Sequence, residues 1–254
     1  MPNTVREVRI IPIVGIPEVR PGDDLGAIIL SAVEQQSLVL EDGDILVVTQ
    51  KVVSKAEGRI VALDSVTPGA FAQQIAEQWE KDARLVEVVL GESARIVRMG
   101  HGVMICETKH GFICANAGVD SSNVETLGTV AMLPVDSDAS AEGLRSQIEK
   151  ATGVSLAVVI TDTFGRPWRE GHVNFAIGVA GMLPLHDYTG EHDPAGYELR
   201  VTSMAVADEL AAAAELAHGK LDRVPVAVVR GYEYPRGDGS SRDLLRDAEK
   251  DLFR

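Results

Sequence analysis

The chain is poor in cysteine, in basic residues and in long apolar runs, and each shortage excludes a class of protein. Two cysteines, Cys106 and Cys114, in 254 residues exclude a disulfide scaffold, and no Cys/His spacing matches a zinc site. Both lie in apolar segments, where buried, reduced thiols are expected. No apolar run reaches the roughly 18 residues that a membrane span needs. Twenty-four Lys and Arg against 38 Asp and Glu give a net charge of −14 and a pI near 4.8. Non-specific nucleic-acid binding, which needs a basic footprint, is thereby excluded. A small anionic substrate is not excluded, since a few local cations and a bound metal can hold phosphates. Such cations are available at Lys51, Lys55, Arg59, Arg166, Arg169 and Arg230. A phosphate-binding P-loop is missing, and Gly100-His-Gly102 lacks the remaining glycine of a dinucleotide fingerprint. Any nucleotide must be held in another way. The opening Met-Pro-Asn-Thr-Val-Arg-Glu has neither the basic nor the apolar region of a secretory signal, so a cytoplasmic protein is expected.

Apolar residues make up 45% and mean hydropathy is +0.06, which suits a globular chain. Its length allows one large domain or two intimately joined ones. Periodicity and turn signals predict strands over 5–14, 44–53, 154–161, 172–180 and 224–230, with short strands over 94–118. They predict helices over 24–37, from Thr67-Pro68 to about Trp79, over 141–151, near 204–218 and over 240–252. A Pro/Asp/Ser-rich link at 134–140 marks a possible subdomain boundary. Strands and helices mix without regular βαβ alternation, so the expected class is α+β with mixed sheets.

Two stretches carry the chemistry. Gly111-Phe-Ile-Cys-Ala115 breaks at Asn116-Ala-Gly118 and delivers Asp120, with Asn123 three residues on. Val158-Val-Ile160 is followed at once by Thr161, Asp162 and Thr163, then by Arg166 and Arg169. Acids at the ends of buried strands with cations close behind suit a divalent metal and phosphate oxygens, because Mg²⁺ takes one or two carboxylates plus substrate phosphates. Asp is also common at turns and helix N-caps, which is the competing account of each one alone. A third stretch, Val47 to Gly58, reads as a strand turning polar, with Gln50, Lys51, Ser54 and Lys55 close together. A lysine there acts on phosphate as a point charge, although lysines are mostly ordinary surface residues.

Other motifs carry less. His186-Asp187 and Glu191-His192-Asp193-Pro194 contain metal-ligand types but read as a polar loop. The segment Gly237 to Arg242 opens a helix whose N-terminus could receive an anion, and capping by Ser240 or Ser241 explains it equally. His101 and His172 have no evident partner.

Five blocks in order, Ile10-Ile-Pro-Ile-Val-Gly-Ile-Pro17, Val52-Val-Ser-Lys-Ala-Glu-Gly-Arg59, Asn116-Ala-Gly-Val-Asp-Ser-Ser-Asn123, Ile160-Thr-Asp-Thr-Phe-Gly-Arg166 and Val228-Val-Arg-Gly231, resemble the coenzyme F420:L-glutamate ligases, also called F420-0:gamma-glutamyl ligases. The resemblance spans nearly the whole chain as one domain. It implies GTP-dependent joining of L-glutamate to F420-0, a two-part α+β fold, a homodimer, and Mn²⁺ or Mg²⁺ beside the nucleotide. By matching motif it implies nucleotide contacts at Ile16, Pro17, Glu18, Val19, Gln50, Lys51, Lys55 and Asn123, and metal positions at Asp120, Asp162 and Thr163. Where some members carry an acidic second-metal ligand, this chain has Gly219-Lys220-Leu-Asp222. The C-terminal nitroreductase-like domain of some bacterial members is not expected here.

A carboxylate is a poor acyl donor, so the implied reaction requires phosphoryl transfer to make an acyl phosphate, with Asp120, Asp162 and Lys55 as the residues expected to carry catalysis. The same aspartates would also suit a metal-dependent phosphohydrolase or a nucleotide-binding module without turnover.

Overall fold

The computed structural model describes residues 7–121 and 128–251. Asn123 lies outside them. The expected α+β class is what is observed: helices pack on sheets that mix parallel and antiparallel pairs.

A five-stranded sheet forms the larger body. Its strands are β1 (Arg9–Ile13), β2 (Ile45–Thr49), β8 (Ala157–Arg166), β9 (Arg169–Ala180) and β12 (Val226–Arg230). They lie in the order β1-β12-β2-β8-β9, and only β2 and β8 run parallel. The inner strands are runs of Val, Ile and Leu buried on both faces, the composition a covered strand requires. One face packs Leu46, Val48, Val158, Ile160 and Val228 against α1 (Leu25–Gln35) and α5 (Ser137–Thr152). The other packs Ile45, Val47, Val159, Ala227 and Val229 against α6 (Val206–His218), whose Ala207, Ala211 and Ala214 are fully buried. Small side chains let the helix approach the sheet closely. Gly178 on β9 serves the same end on the other face, since a Cβ there would stand 2.4 Å from the Ser137 carbonyl oxygen.

The smaller body holds α3 (Ala70–Trp79) and α4 (Ala83–Glu92) over the antiparallel sheet of β4 (Ser93–Gly100), β5 (Val103–Thr108) and β6 (Ile113–Ala115). Its own core runs through Ile75, Val86, Val89, Met104, Cys106 and Val130. A short ladder of β3 (Ile60–Ala62) with β7 (Thr129–Ala131) completes it. Cys106 and Cys114 are buried, free and paired in register across β5 and β6. Burial pushes the Cys114 thiol up to about 12, with Asp162 and Cys106 adding to it.

Four local readings differ. The predicted strand over 44–53 ends at Thr49, and α2 (Gln50–Ala56) follows with no loop between them. Val52 and Val53 prolonged the β-branched run in sequence, but Val53, Ser54 and Lys55 are buried residues of a helix. The strands predicted over 154–161 and 172–180 are longer and close as a hairpin. The predicted terminal helix is instead two single 3₁₀ turns, Ser241–Leu244 and Ala248–Lys250. Helix α5, expected from about residue 141, starts earlier, inside the 134–140 link, on Asp136, whose side chain accepts from Ala139 N; it ends at Gly153 with φ of 76°, as a C-terminal glycine requires.

Candidate active site

The parallel pairing of β2 and β8 creates the site. Thr49 stands opposite Thr161, so both chains leave the sheet at the same edge, and residues just past these strand ends face one cleft. That is where open α/β sheets bind ligands. The cleft has a volume of about 1240 Å³. Beside Thr161 the β8–β9 ladder slips register after Ile160. Such a bulge re-aims the side chains that follow it, here Thr161, Asp162 and Thr163.

Asp120 arrives from the smaller body. Asn116 and Ala117 both adopt left-handed backbone with φ of 52°, a conformation that costs roughly 1–2 kcal/mol per non-glycine residue. Gly118 follows with φ of 72°, and a Cβ there would come within 2.9 Å of Leu133. Backbone bonds in both directions between Asp120 and Ala131, at 3.0 and 2.8 Å, then fix the loop.

The cleft brings together Ile16, Pro17, Glu18, Val19, Gln50, Lys51, Lys55, Asp120, Asp162 and Thr163, so every site residue expected from the sequence and lying in the described residues shares one cavity. Lys51 Nζ donates to Asp120 Oδ2 at 2.6 Å. Lys55, 8% exposed, is ion-paired with Glu18. Gln50 Nε2 donates to Ser54 Oγ at 2.5 Å and to the Met132 carbonyl at 3.1 Å, which ties α2 to the smaller body.

Asp162 is enclosed by the cleft walls while keeping part of its surface open to the cavity. Burial pushes its pKa up to about 6, the Asp120 charge adds to this, and a bond from Thr163 N with the charges of Lys51 and Lys220 oppose it. Thr163 Oγ1 donates to Asn174 Oδ1 at 2.8 Å, which spends its hydrogen and leaves its lone pairs free to accept. Thr161 Oγ1 is buried with no partner among the described residues. This set of hard oxygens suits Mg²⁺ or Mn²⁺. Among the described residues no cluster of three or more His, Cys, Asp or Glu could enclose a metal alone, so an ion here would be completed by oxygens of a bound phosphate.

The distant cations serve elsewhere. Arg230 holds Asp44 at 2.7 and 2.8 Å and the Val39 carbonyl at 2.7 Å, and Arg59 pairs with Glu92 at 2.6 Å. Arg166 donates to the Glu170 carbonyl across the hairpin turn. None of the three, nor Arg169, lines the cleft. The anion position suggested at Ser240 and Ser241 is already filled by Asp138, which accepts from both residues. The polar loop reading of 186–193 stands: His186–Asp187 forms a two-residue ladder with Ser203–Met204, and Asp187 accepts from Thr189.

Sequence reasoning missed Asn174, Glu215 and His218, which also line the cleft, as does Lys220 of the segment at the expected second-metal position. Asn174 Nδ2 donates to Glu215 Oε2 at 2.8 Å. His218 is 1% exposed, and burial pushes it down to about 4. The Glu215 and His218 spacing of three on a predicted helix was the available signal, since it puts both on one face.

The model of the F420-0:Gamma-glutamyl ligase family matches residues 14–231. The coenzyme F420:L-glutamate ligase of Methanothermobacter thermautotrophicus is 48% identical over 250 residues, covering 97% of this chain and 99% of that protein. Those of Methanocaldococcus jannaschii and Methanopyrus kandleri are 42% and 44% identical, covering 98% and 97% of this chain and 99% and 98% of their own lengths. With its own strand-end acids and cleft lysines gathered in one cavity and these relatives matched end to end, the chain belongs to the F420-0:gamma-glutamyl ligase family.

Proposed function

We propose that the protein ligates L-glutamate to the F420-0 precursor at the expense of GTP, through an acyl phosphate, in coenzyme F420 biosynthesis. The observation that carries this reading is the meeting of Asp120, Asp162 and Thr163 with Lys51 and Lys55 in one cleft. The names of the relatives support the glutamate and F420 part.

In this reaction the precursor carboxylate attacks the γ-phosphorus of GTP and GDP departs, leaving a mixed anhydride. The glutamate amine, once its ammonium has given a proton to solvent, attacks the acyl carbon, phosphate leaves with the C–O bonding pair, and the nitrogen sheds a second proton to give the amide. Phosphoryl transfer is mainly a matter of alignment and charge neutralisation. The cleft balances Lys51, Lys55, Lys220 and Arg223 against Glu18, Asp120, Asp162 and Glu215, so its own side chains do not neutralise a triphosphate. A bound Mn²⁺ or Mg²⁺ would supply the missing charge and polarise phosphoryl oxygens. Asp120, Asp162 and Thr163 would hold it. Lys51 and Lys55 would exchange their carboxylate partners for phosphate oxygens, and Ile16 to Val19 would line the nucleotide. The working protein is a cytoplasmic homodimer in this reading.

The test is incubation with F420-0, L-glutamate, GTP and Mn²⁺, followed by mass analysis. Products heavier by glutamyl units, with GDP released in step, are expected. GDP formation that ignores glutamate would instead mark a phosphohydrolase.

A further inference from the structure

Helix α6 gives the cleft a carboxylate and an imidazole that the phosphate chemistry leaves without a role. Glu215 Oε2 lies 3.9 Å from His218 Nδ1, beyond hydrogen-bond reach. Neither ring nitrogen of His218 makes a well-formed hydrogen bond, although the Val47 backbone is within reach of the ring and the residue is 1% exposed. Among the described residues no lysine or arginine pairs with Glu215. A neutral imidazole keeps one lone pair and a carboxylate several, so beyond the one bond that Glu215 takes from Asn174 the two acceptors line a gap in the cleft with lone pairs unused. A buried ring with unmet nitrogens is costly. The group that would satisfy both is a cation rich in N–H. Its position is also defined: Thr163 donates to Asn174, and Asn174 donates to Glu215, so the gap lies two hydrogen bonds from the oxygen set at Asp162.

We propose that Glu215 and His218 form the subsite for the α-ammonium group of the incoming amino acid, the carboxylate matching its charge and His218 Nδ1 accepting one N–H. The amine is thereby held beside the activated carboxyl group. This inference rests on the ligase reading above.

Steady-state kinetics of E215Q, with glutamate and GTP varied separately, tests it. The amide keeps the acceptor for Asn174 and removes only the charge. The KM for glutamate should rise about ten- to hundredfold, as for losing one charged contact, while the KM for GTP stays within about twofold. Hydroxylamine, uncharged near pH 7.5, needs no ammonium subsite, so E215Q should still form hydroxamate from F420-0 and GTP at the parental rate. An unchanged glutamate KM, an equal loss of hydroxamate formation, or a raised Mn²⁺ requirement alone would each overturn the subsite. Failure of the parent protein to release GDP in response to glutamate would instead overturn the ligase reading. If E215Q does not fold, H218F, which fills the ring's space without its nitrogens, carries the same comparison.

Discussion

Lys51 Nζ stands 2.6 Å from Asp120 Oδ2 across 69 residues of sequence, so a cation from the first turn of α2 and a carboxylate from the smaller body neutralise each other in the cleft. In the proposed reaction nucleotide phosphate and metal would have to compete with a contact that the protein already makes. The partners are partly exposed, at 16% and 41% for their side chains, and such pairs are weak, about 1 kcal/mol at most. A pair of this strength would open for the proposed phosphate and metal.

Asp120→Asn should remove one carboxylate competitor for Lys51. GTP binding without metal is expected to strengthen by up to about fivefold, while metal-supported turnover falls by orders of magnitude. Calorimetric titration with and without Mn²⁺, beside an activity assay, reads both.

Asp162→Asn should abolish turnover and stabilise the metal-free protein. Burial raises the carboxyl from its ordinary 3.8 to about 6 in the folded protein, so folding favours its protonated form. The penalty is absent below the unfolded value, grows as pH rises from about 4 to 6, and is constant above that. A gain of a few kcal/mol at most is expected for the amide at pH 7, fading toward pH 4. Urea unfolding at both pH values checks it, and equal stability at pH 7 would contradict it.

Lys55→Met keeps the aliphatic stem and removes the charge. GTP affinity in Mn²⁺ should fall by about 1.5–3 kcal/mol, or roughly ten- to hundredfold. Lys150→Met, at an exposed position on α5, serves as the control. Parental binding by both would make Lys55 only the partner of Glu18.

Arg230→Met separates a structural cation from a functional one. Asp44 is 1% exposed and depends on Arg230, and an ion stranded inside a protein costs about 3–5 kcal/mol. The expected variant melts markedly lower, yet its surviving folded fraction ligates at the parental rate. Lost turnover at full stability would return Arg230 to the site.

Light scattering at micromolar concentration should give about twice the 27.2 kDa chain mass. An active monomer would remove the dimer from the proposal.

The elements most legible in the sequence are those with local punctuation. Gly153 closes α5, whereas its start at Asp136 falls in a stretch that reads as a link, and the apolar run of β12 stands alone between polar segments. The change from β2 to α2 at Gln50 was hidden because it uses neither glycine nor proline, and Val52 and Val53 suit either structure. At the site, Asp120 and Asp162 stood out because acids interrupt apolar strands, a contrast visible within ten residues. Glu215 and His218 carry no such contrast. Their chemistry arises only when α6 is laid on a sheet face where Asn174, 41 residues earlier, can reach Glu215. Arg230 shows the reverse: a cation at a strand end looked available until its acidic partners, 186 residues away, were seen to occupy it.

The cleft takes its walls from Ile16 near the start of the described chain and from Pro225 near its end, with both bodies contributing between them. A ligand seated there acts as a clasp on almost the entire polypeptide. Opening either body would have to release it, so saturating nucleotide should slow amide exchange in α4 and β5 as well as in β2 and β8, by the same mass action that raises stability with ligand concentration.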